Sequence, residues 1–327
     1  MKKILITGSE GFIGSHLVEH LVKKNYKVKA FVLYNSFNKN GWLDTLDKKF
    51  LQKIEIHYGD IRDYKNLSFA FKNVDQVIHL AALIGIPYSY TSAKSYIDTN
   101  IIGTYNILEH CLKSKIKKLI VTSTSEVYGS ALKLPIDENH KLQAQSPYAA
   151  TKIASDKLTE SYIKSFNLNA VIVRPFNIYG PRQSTRAVIP TIITQILKNK
   201  NIELGSLTPR RDFNYVYNVC DAFEKILKSN KLNGKEVNVC SGESISILNL
   251  VKLISKILKK NVRIKMSKKR LRPIKSEVDH LKGSNKKFLN HISNYKKIDL
   301  VNGLKKTIEW YSNNENLKRF DTENYTI

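Results

Sequence analysis

Over the first half of the chain, apolar and polar positions alternate between two rhythms. Short apolar runs at Lys2–Thr7, Lys27–Tyr34, Ile54–Tyr58, Gln76–Leu80, Lys117–Thr122 and Ala170–Arg174 read as strands. Stretches with helical spacing separate them. Phe12–Lys24 puts Ile13, Leu17 and Leu21 on one face, and Thr91–Ser114 and Tyr148–Phe166 read as longer helices. Strands alternating with helices predict an α/β fold, a doubly wound parallel sheet with helices on both faces. Such sheets bind ligands at the carboxyl ends of their strands. After Pro175 the rhythm loosens. Ala187–Asn199, Val219–Ser229, Ser246–Lys259 and Leu300–Asn313 read as helices, and the end is polar. We expect a nucleotide-binding domain over 1–175 and a smaller α/β substrate domain over 176–327, with segments near 213–240 packing back onto the first.

Composition narrows the class. With 327 residues, 42% of them hydrophobic, the chain is long enough for one large domain or two intimate ones. No apolar run approaches the ~18 residues of a membrane helix. The apolar run near the start is too short for a signal peptide. Cys111, Cys220 and Cys240 are odd in number and far apart, which fits neither a disulfide framework nor a zinc site. The expectation is a reduced, cytoplasmic protein with no metal.

The net charge of +26 suggests nucleic acid at first sight. Its make-up argues otherwise. Lysine supplies 44 of the basic residues, spread along the chain, and arginine only 10. The densest basic run, Lys259–Lys275, has no aromatic residue interleaved for base stacking. A solvated lysine surface is the simpler reading, with no nucleic-acid or membrane partner. Scarce arginine is informative, because its planar fork grips phosphate as lysine cannot. Six arginines fall in three pairs: Arg182 and Arg186, Arg210 and Arg211, Arg270 and Arg272.

Gly8-Ser9-Glu10-Gly11-Phe12-Ile13-Gly14 follows the first strand and opens the first helix, the context a dinucleotide loop requires. The acid that usually holds the adenosine ribose should end the second strand, but Leu33-Tyr34-Asn35-Ser36 offers neither acid nor arginine. The choice between NAD and NADP therefore stays open. Asp60, next to Ile61, is a candidate for the adenine amino group or a plain turn aspartate. Tyr148 and Lys152, four apart on a helix, share a face, and a nearby ammonium makes a tyrosine a usable base. Tyr90 and Lys94 have the same spacing. Order in the chain separates the pairs, because Tyr148 opens the helix after the strand ending at Thr122. Thr122–Gly129 places hydroxyls and Glu126 just past that strand end.

Taken in order, these motifs resemble the extended short-chain dehydrogenase/reductase family, specifically its sugar-nucleotide epimerases and dehydratases. The resemblance also covers His79-Leu80-Ala81-Ala82, Arg174–Pro181 and Arg211-Asp212-Phe213. It implies a Rossmann domain and a smaller C-terminal domain that clasps a nucleoside diphosphate sugar. Gly8, Gly11, Phe12, Ile13, Gly14, Asp60, Ile61, Leu80, Ala81 and Ala82 would hold NAD, or NADP, together with Tyr148 and Lys152. Val32–Phe37, Ala82–Tyr90, Gln183–Pro190 and Arg270–Val278 are similar to the 4,6-dehydratases of legionaminic acid biosynthesis. That narrower likeness implies a GDP- or UDP-linked N-acetylglucosamine as substrate, converted to its 4-keto-6-deoxy form. By family position Thr124, Ser125, Glu126, Tyr148 and Lys152 are catalytic. Asn177, Arg186, Arg211 and Arg272 face the sugar nucleotide, and helices near Thr91–Ser114 and Tyr148–Phe166 pair in a homodimer.

One departure matters. Thr124-Ser125-Glu126 stands where many 4,6-dehydratases carry Thr-Asp-Glu, so the acid for the departing C6 hydroxyl is either Glu126 or water. A UDP-glucuronate decarboxylase or a 4-epimerase is the alternative within enzymes. A non-catalytic Rossmann protein binding nucleic acid is a distant one.

Overall fold

A computed structural model describes residues 2–198, 201–271 and 273–320. Six strands of the first half are β1 (Lys3–Thr7), β2 (Lys27–Leu33), β3 (Ile54–Gly59), β4 (Gln76–His79), β5 (Lys118–Thr122) and β6 (Ala170–Pro175). They pair in the order β6-β5-β4-β1-β2-β3, all parallel. A seventh strand, Glu236–Val239, returns from the second half and adds in parallel beside β6. Helices cover both faces, so Ile4, Leu5 and Ile6 of β1 are all fully buried. The strand order reverses between β1 and β4, the switch point beside which sheets of this kind bind ligands.

The second half is not laid apart from this sheet. The helix Val216–Lys228 packs on α1 (Phe12–Lys23), its Val219 and Phe223 sharing a core with Leu17 and Leu21. Beyond them lie three two-stranded pairs. Asn214–Tyr215 runs with Ile178–Tyr179, Ile245–Ser246 against Arg210–Arg211, and Ile264–Met266 with Ile202–Leu204.

The long helix Pro147–Phe166 starts where its sequence says it should. Ser146 Oγ accepts from Ala149 N–H at 3.1 Å, and Pro147 takes the first helical position. The stretch expected as one helix over Thr91–Ser114 is instead broken. Ser92 leaves helical geometry between Ile86–Thr91 and Ala93–Tyr96, and a π-helical turn at Ile97–Ile102 precedes the helix Gly103–Lys113. At the π turn the Asn100 carbonyl accepts from Thr104 Oγ1 at 2.5 Å and Ser155 Oγ at 2.7 Å. These bonds tie the turn to the long helix. Apolar spacing alone does not register such a widening.

Candidate active site

The glycine loop is shaped by contact with its own backbone. Gly8 has φ +70°, and a Cβ there would lie 2.9 Å from the Ala81 Cα and N. A Cβ on Gly14 would lie 2.1 Å from Gly8 O. Gly11 differs, because its Cβ would meet only Gly8 O, at 3.4 Å, in ordinary contact. The protein itself leaves room at Gly11, where α1 begins with no side-chain cap on its first N–H groups. An uncapped helix start with a bare glycine before it suits a pyrophosphate. Phe12 and Ile13 form the first turn of that helix.

Between the ends of β1 and β4, Thr7 Oγ1 accepts from the Leu80 and Ala81 N–H groups, each at 3.1 Å. It therefore donates its own hydrogen to His79 Nδ1, 2.8 Å away. His79 Nε2 lies 3.2 Å from Thr104 Oγ1, whose hydrogen goes to Asn100 O. Those partners assign His79 as a neutral ring with its proton on Nε2. Burial, and then Lys152, hold its pKa down at about 3. The half-buried run Leu80-Ala81-Ala82 is thus fixed over the carboxyl end of β4. Asn100 closes the same loop, accepting from Leu83 N–H at 2.9 Å while its Nδ2 donates to Leu83 O and Thr151 Oγ1, both at 3.0 Å.

Tyr148 and Lys152 are both buried at the start of the long helix. Lys152 Nζ donates to Thr122 O at 2.6 Å, so the ammonium sits at the end of β5. Burial lowers its pKa to about 8. Burial also pushes the Tyr148 phenol up, a hydrogen bond with Thr124 draws it down, and the Glu126 charge pushes it up again. Thr124 therefore touches Tyr148 and Glu126 lies within electrostatic reach of it, with Thr124 and Glu126 half-buried and Ser125 buried between them. Thr124 caps its own 3-10 turn, accepting from Glu126 N–H at 3.2 Å. Tyr90 and Lys94 lie on separate short helices. Tyr90 bonds Ser276 Oγ at 2.5 Å and Lys94 pairs with Asp98 at 2.6 Å, so they form no such site.

One turn beyond Lys152, Asp156 accepts from Arg174 Nε at 2.9 Å. Arg174 Nη1 reaches Tyr128 Oη at 3.1 Å, and Tyr128 donates to Asn238 Oδ1 at 2.7 Å. This buried chain ties the long helix, β6, the Thr124–Tyr128 turn and the seventh strand into one support. Sequence reasoning missed Asn100 and Asp156. The i+4 spacing of Asp156 from Lys152 is a signal that could have found it, whereas nothing local marks Asn100.

The remaining candidates are scattered. Asp60 is half-buried after β3 and held by Arg62, whose Nε lies 2.9 Å from Oδ2, while neighbouring Ile61 is buried. Asn177 Nδ2 donates to Asp212 O at 3.4 Å. Arg211 is buried, with Nη2 2.8 Å from Glu277 and Nη1 3.1 Å from Arg210 O. It lines a cavity of about 230 Å³ with Phe213, Ser241 and Lys297. Arg186 is exposed, and its charge reaches Tyr96, which packs edge-on against Tyr148. Arg182 instead joins the two halves, with Nη2 2.9 Å from Glu19 of α1. Arg272 lies outside the described residues. The one cluster of potential metal ligands among the described residues, His20, Asp221 and Glu224, lies on α1 and the helix packed against it.

A glycine-rich loop between the first strand and the first helix, with a Tyr-Lys pair buried at the start of the long helix, fits a protein of the short-chain dehydrogenase/reductase type. The chain belongs to the GDP-mannose 4,6-dehydratase family, whose model matches residues 5–307. It is 36% identical over 277 residues to a dTDP-D-glucose 4,6-dehydratase of Dictyostelium discoideum, covering 79% of this chain and 62% of that protein. Among solved structures, it superposes with a TM-score of 0.85 on a UDP-N-acetylglucosamine 4-epimerase from Methanobrevibacter ruminantium in complex with UDP-N-acetylmuramic acid. The two are 31% identical, covering 95% of this chain and 98% of that one. A UDP-glucuronic acid 4-epimerase from Bacillus cereus, in complex with UDP-glucuronic acid and NAD, gives 0.85 at 29% identity, covering 94% and 98%. No helix among the described residues is long and apolar enough to cross a membrane.

Proposed function

We propose that the chain is an NAD-dependent 4,6-dehydratase of a GDP- or UDP-linked N-acetylglucosamine. NAD, which the Gly8–Gly14 loop would hold, would when bound supply the hydride acceptor for C4 and the hydride donor for C6. The Lys152 ammonium, held at the end of β5, stabilises Tyr148 as the phenolate, which takes the C4 hydroxyl proton and becomes the neutral phenol. Thr124 donates to the C4 oxygen. Once C4 is a ketone the C5 proton is acidic, and Glu126 removes it and delivers it to the C6 hydroxyl, which leaves as water. The hydroxyls beside Glu126 are too weakly basic for that step near neutral pH. After hydride has added at C6, C5 takes a proton that comes from solvent.

The observation that carries this reading is a carboxylate, Glu126, in the turn after β5 whose cap Thr124 bonds Tyr148, within electrostatic reach of that phenol. Chemistry confined to C4 needs the tyrosine alone, whereas elimination across C5 and C6 needs a second base. A 4-epimerase is the second reading. It is favoured by the likeness to two solved 4-epimerases and by Ser125 standing where an acid would assist loss of the hydroxyl. Exposed Ile97, Ile102, Tyr105 and Phe166, on the helical segments expected to pair, support a homodimer.

Mass spectrometry after incubation with GDP- and UDP-N-acetylglucosamine tests the reaction. Loss of one water supports the dehydratase, an isomeric product the epimerase. Loss of carbon dioxide from UDP-glucuronate would mark a decarboxylase. Glu126→Gln should keep C4 oxidation, accumulate reduced cofactor and abolish exchange of the C5 hydrogen with deuterated water. Wild-type exchange in this variant would remove Glu126 from the mechanism.

A further inference from the structure

The second strand lacks the acid that ordinarily holds an adenosine ribose, yet a carboxylate does stand at that strand end. It comes from the glycine loop. Glu10 lies between Gly8 and Gly11, and its Oε1 accepts from Leu33 N–H, the last residue of β2, at 3.1 Å. Its Oε2 is shielded from solvent and has no hydrogen-bond partner. Glu10 O accepts from Trp42 N–H at 2.9 Å, which holds the loop against the segment that follows β2.

Glu10, Leu33, Asn35, Phe37, Lys39 and Gly41 line a cavity of about 600 Å³. Its rim is built by Asn35, whose Nδ2 donates to Lys39 O at 2.7 Å and whose Oδ1 accepts from the Phe37 and Lys39 N–H groups, each at 3.2 Å. A half-satisfied, desolvated carboxylate is costly unless something arrives to complete it. Burial accordingly pushes Glu10 above the usual carboxylate range, partly offset by its own backbone N–H and then by the bond from Leu33 N–H.

We infer that Glu10 replaces the missing strand-end acid, accepting from the adenosine ribose hydroxyls of NAD and repelling the 2′-phosphate of NADP. The inference rests on the dinucleotide reading above. Cofactor choice in this chain is then set from the glycine loop and not from β2. Among the described residues Lys39 is the one cation lining the cavity, and it opposes that choice. Removing the acid leaves Lys39 to meet a 2′-phosphate.

The test is calorimetric titration of protein stripped of nucleotide, with NAD and NADP. Wild type should prefer NAD. Glu10→Gln keeps the size and an acceptor for Leu33 N–H but loses the charge. It should weaken NAD and strengthen NADP, shrinking the preference by about tenfold or more, the range of a charge-assisted bond. Adding Lys39→Ala should remove the NADP gain. An unchanged ratio, or equal weakening of both, overturns the inference. A measurement without any variant guards against misfolding: NAD lacking the adenosine 2′-hydroxyl should bind wild type about tenfold more weakly. Equal affinity for that analogue overturns the assignment even if Glu10→Gln fails to fold. Failure of wild type to bind either dinucleotide would instead sink the cofactor reading, and this inference with it.

Discussion

Two glycines three residues apart in the dinucleotide loop should answer differently to the same added methyl group. At Gly14 an alanine Cβ would sit 2.1 Å from Gly8 O, 2.8 Å from Ser9 Cα and 2.9 Å from Gly8 C. All three neighbours are backbone and cannot rotate aside. Carbon and oxygen need more than about 3 Å, so α1 must move by about 1 Å from the loop. Overpacking of that kind costs ~1–3 kcal/mol, and α1 also carries Leu17, Leu21 and Val22 into the core. At Gly11 the same methyl meets only Gly8 O, at 3.4 Å. Its φ of −77° is open to alanine, so the loss there should be ~1 kcal/mol or less, the scale of a changed helix cap. On the proposed reading of the loop, the Gly11 methyl would nevertheless fill the space from which a pyrophosphate approaches. Thermal denaturation and NAD titration of both variants separate the effects. Gly14→Ala should lower the melting temperature, whereas Gly11→Ala should melt near wild type and bind NAD at least about tenfold more weakly. Wild-type affinity in Gly11→Ala would refute the reading of the loop as a phosphate cradle. Wild-type stability in Gly14→Ala would refute the packing argument.

Tyr148→Phe removes only the phenolic oxygen, so turnover should fall by ~10²–10⁴-fold with dinucleotide affinity intact; near-normal turnover would show that another group takes the C4 proton. Arg211→Lys keeps the charge but loses the planar fork and should raise KM for the sugar nucleotide while leaving kcat; an unchanged KM would leave Arg211 only as a strut to Glu277. Lys152 has a native pKa of about 8 against an ordinary value of 10.5, so the unfolded chain binds this proton more tightly than the native one. Native stability is therefore penalised below about 8, and the penalty fades as pH rises toward 10.5. Lys152→Met should be inactive yet more stable than wild type at pH 7, by an amount on the order of 2 kcal/mol that shrinks in the alkaline range. A constant difference across pH would contradict a buried, depressed lysine.

How much of this was legible depends on how local the physics is. A strand, a glycine loop and a helix in immediate succession declare themselves, because their turn chemistry and periodicity lie within a dozen residues. Tyr148 and Lys152 are one helical turn apart, so their shared face follows from spacing, and Ser146-Pro147 announces the helix that carries them. The alternation of strands and helices likewise limits the sheet to a parallel, doubly wound form. The π turn at Ile97–Ile102 left no such trace, because its stabilising bonds run to Ser155, 55 positions from Asn100.

What only the tertiary structure decided is which distant residues share a place. Sequence showed β2 ending without an acid. It did not show that Glu10, 23 positions earlier than Leu33, supplies a carboxylate there, because parallel pairing of β1 with β2 is what makes the loop and the strand end neighbours. It marked Arg211 as a scarce arginine but not its pairing with Glu277, 66 positions away. It gave Thr124 and Glu126 a strand end. Only the fold brings them to Tyr148 from the next strand-helix unit and braces them through Asp156, Arg174 and Tyr128. Local sequence specifies elements because backbone hydrogen bonds and side-chain periodicity act over one or two turns. Active-site composition is set by strand order and register, which emerge only when every element has buried its apolar face together.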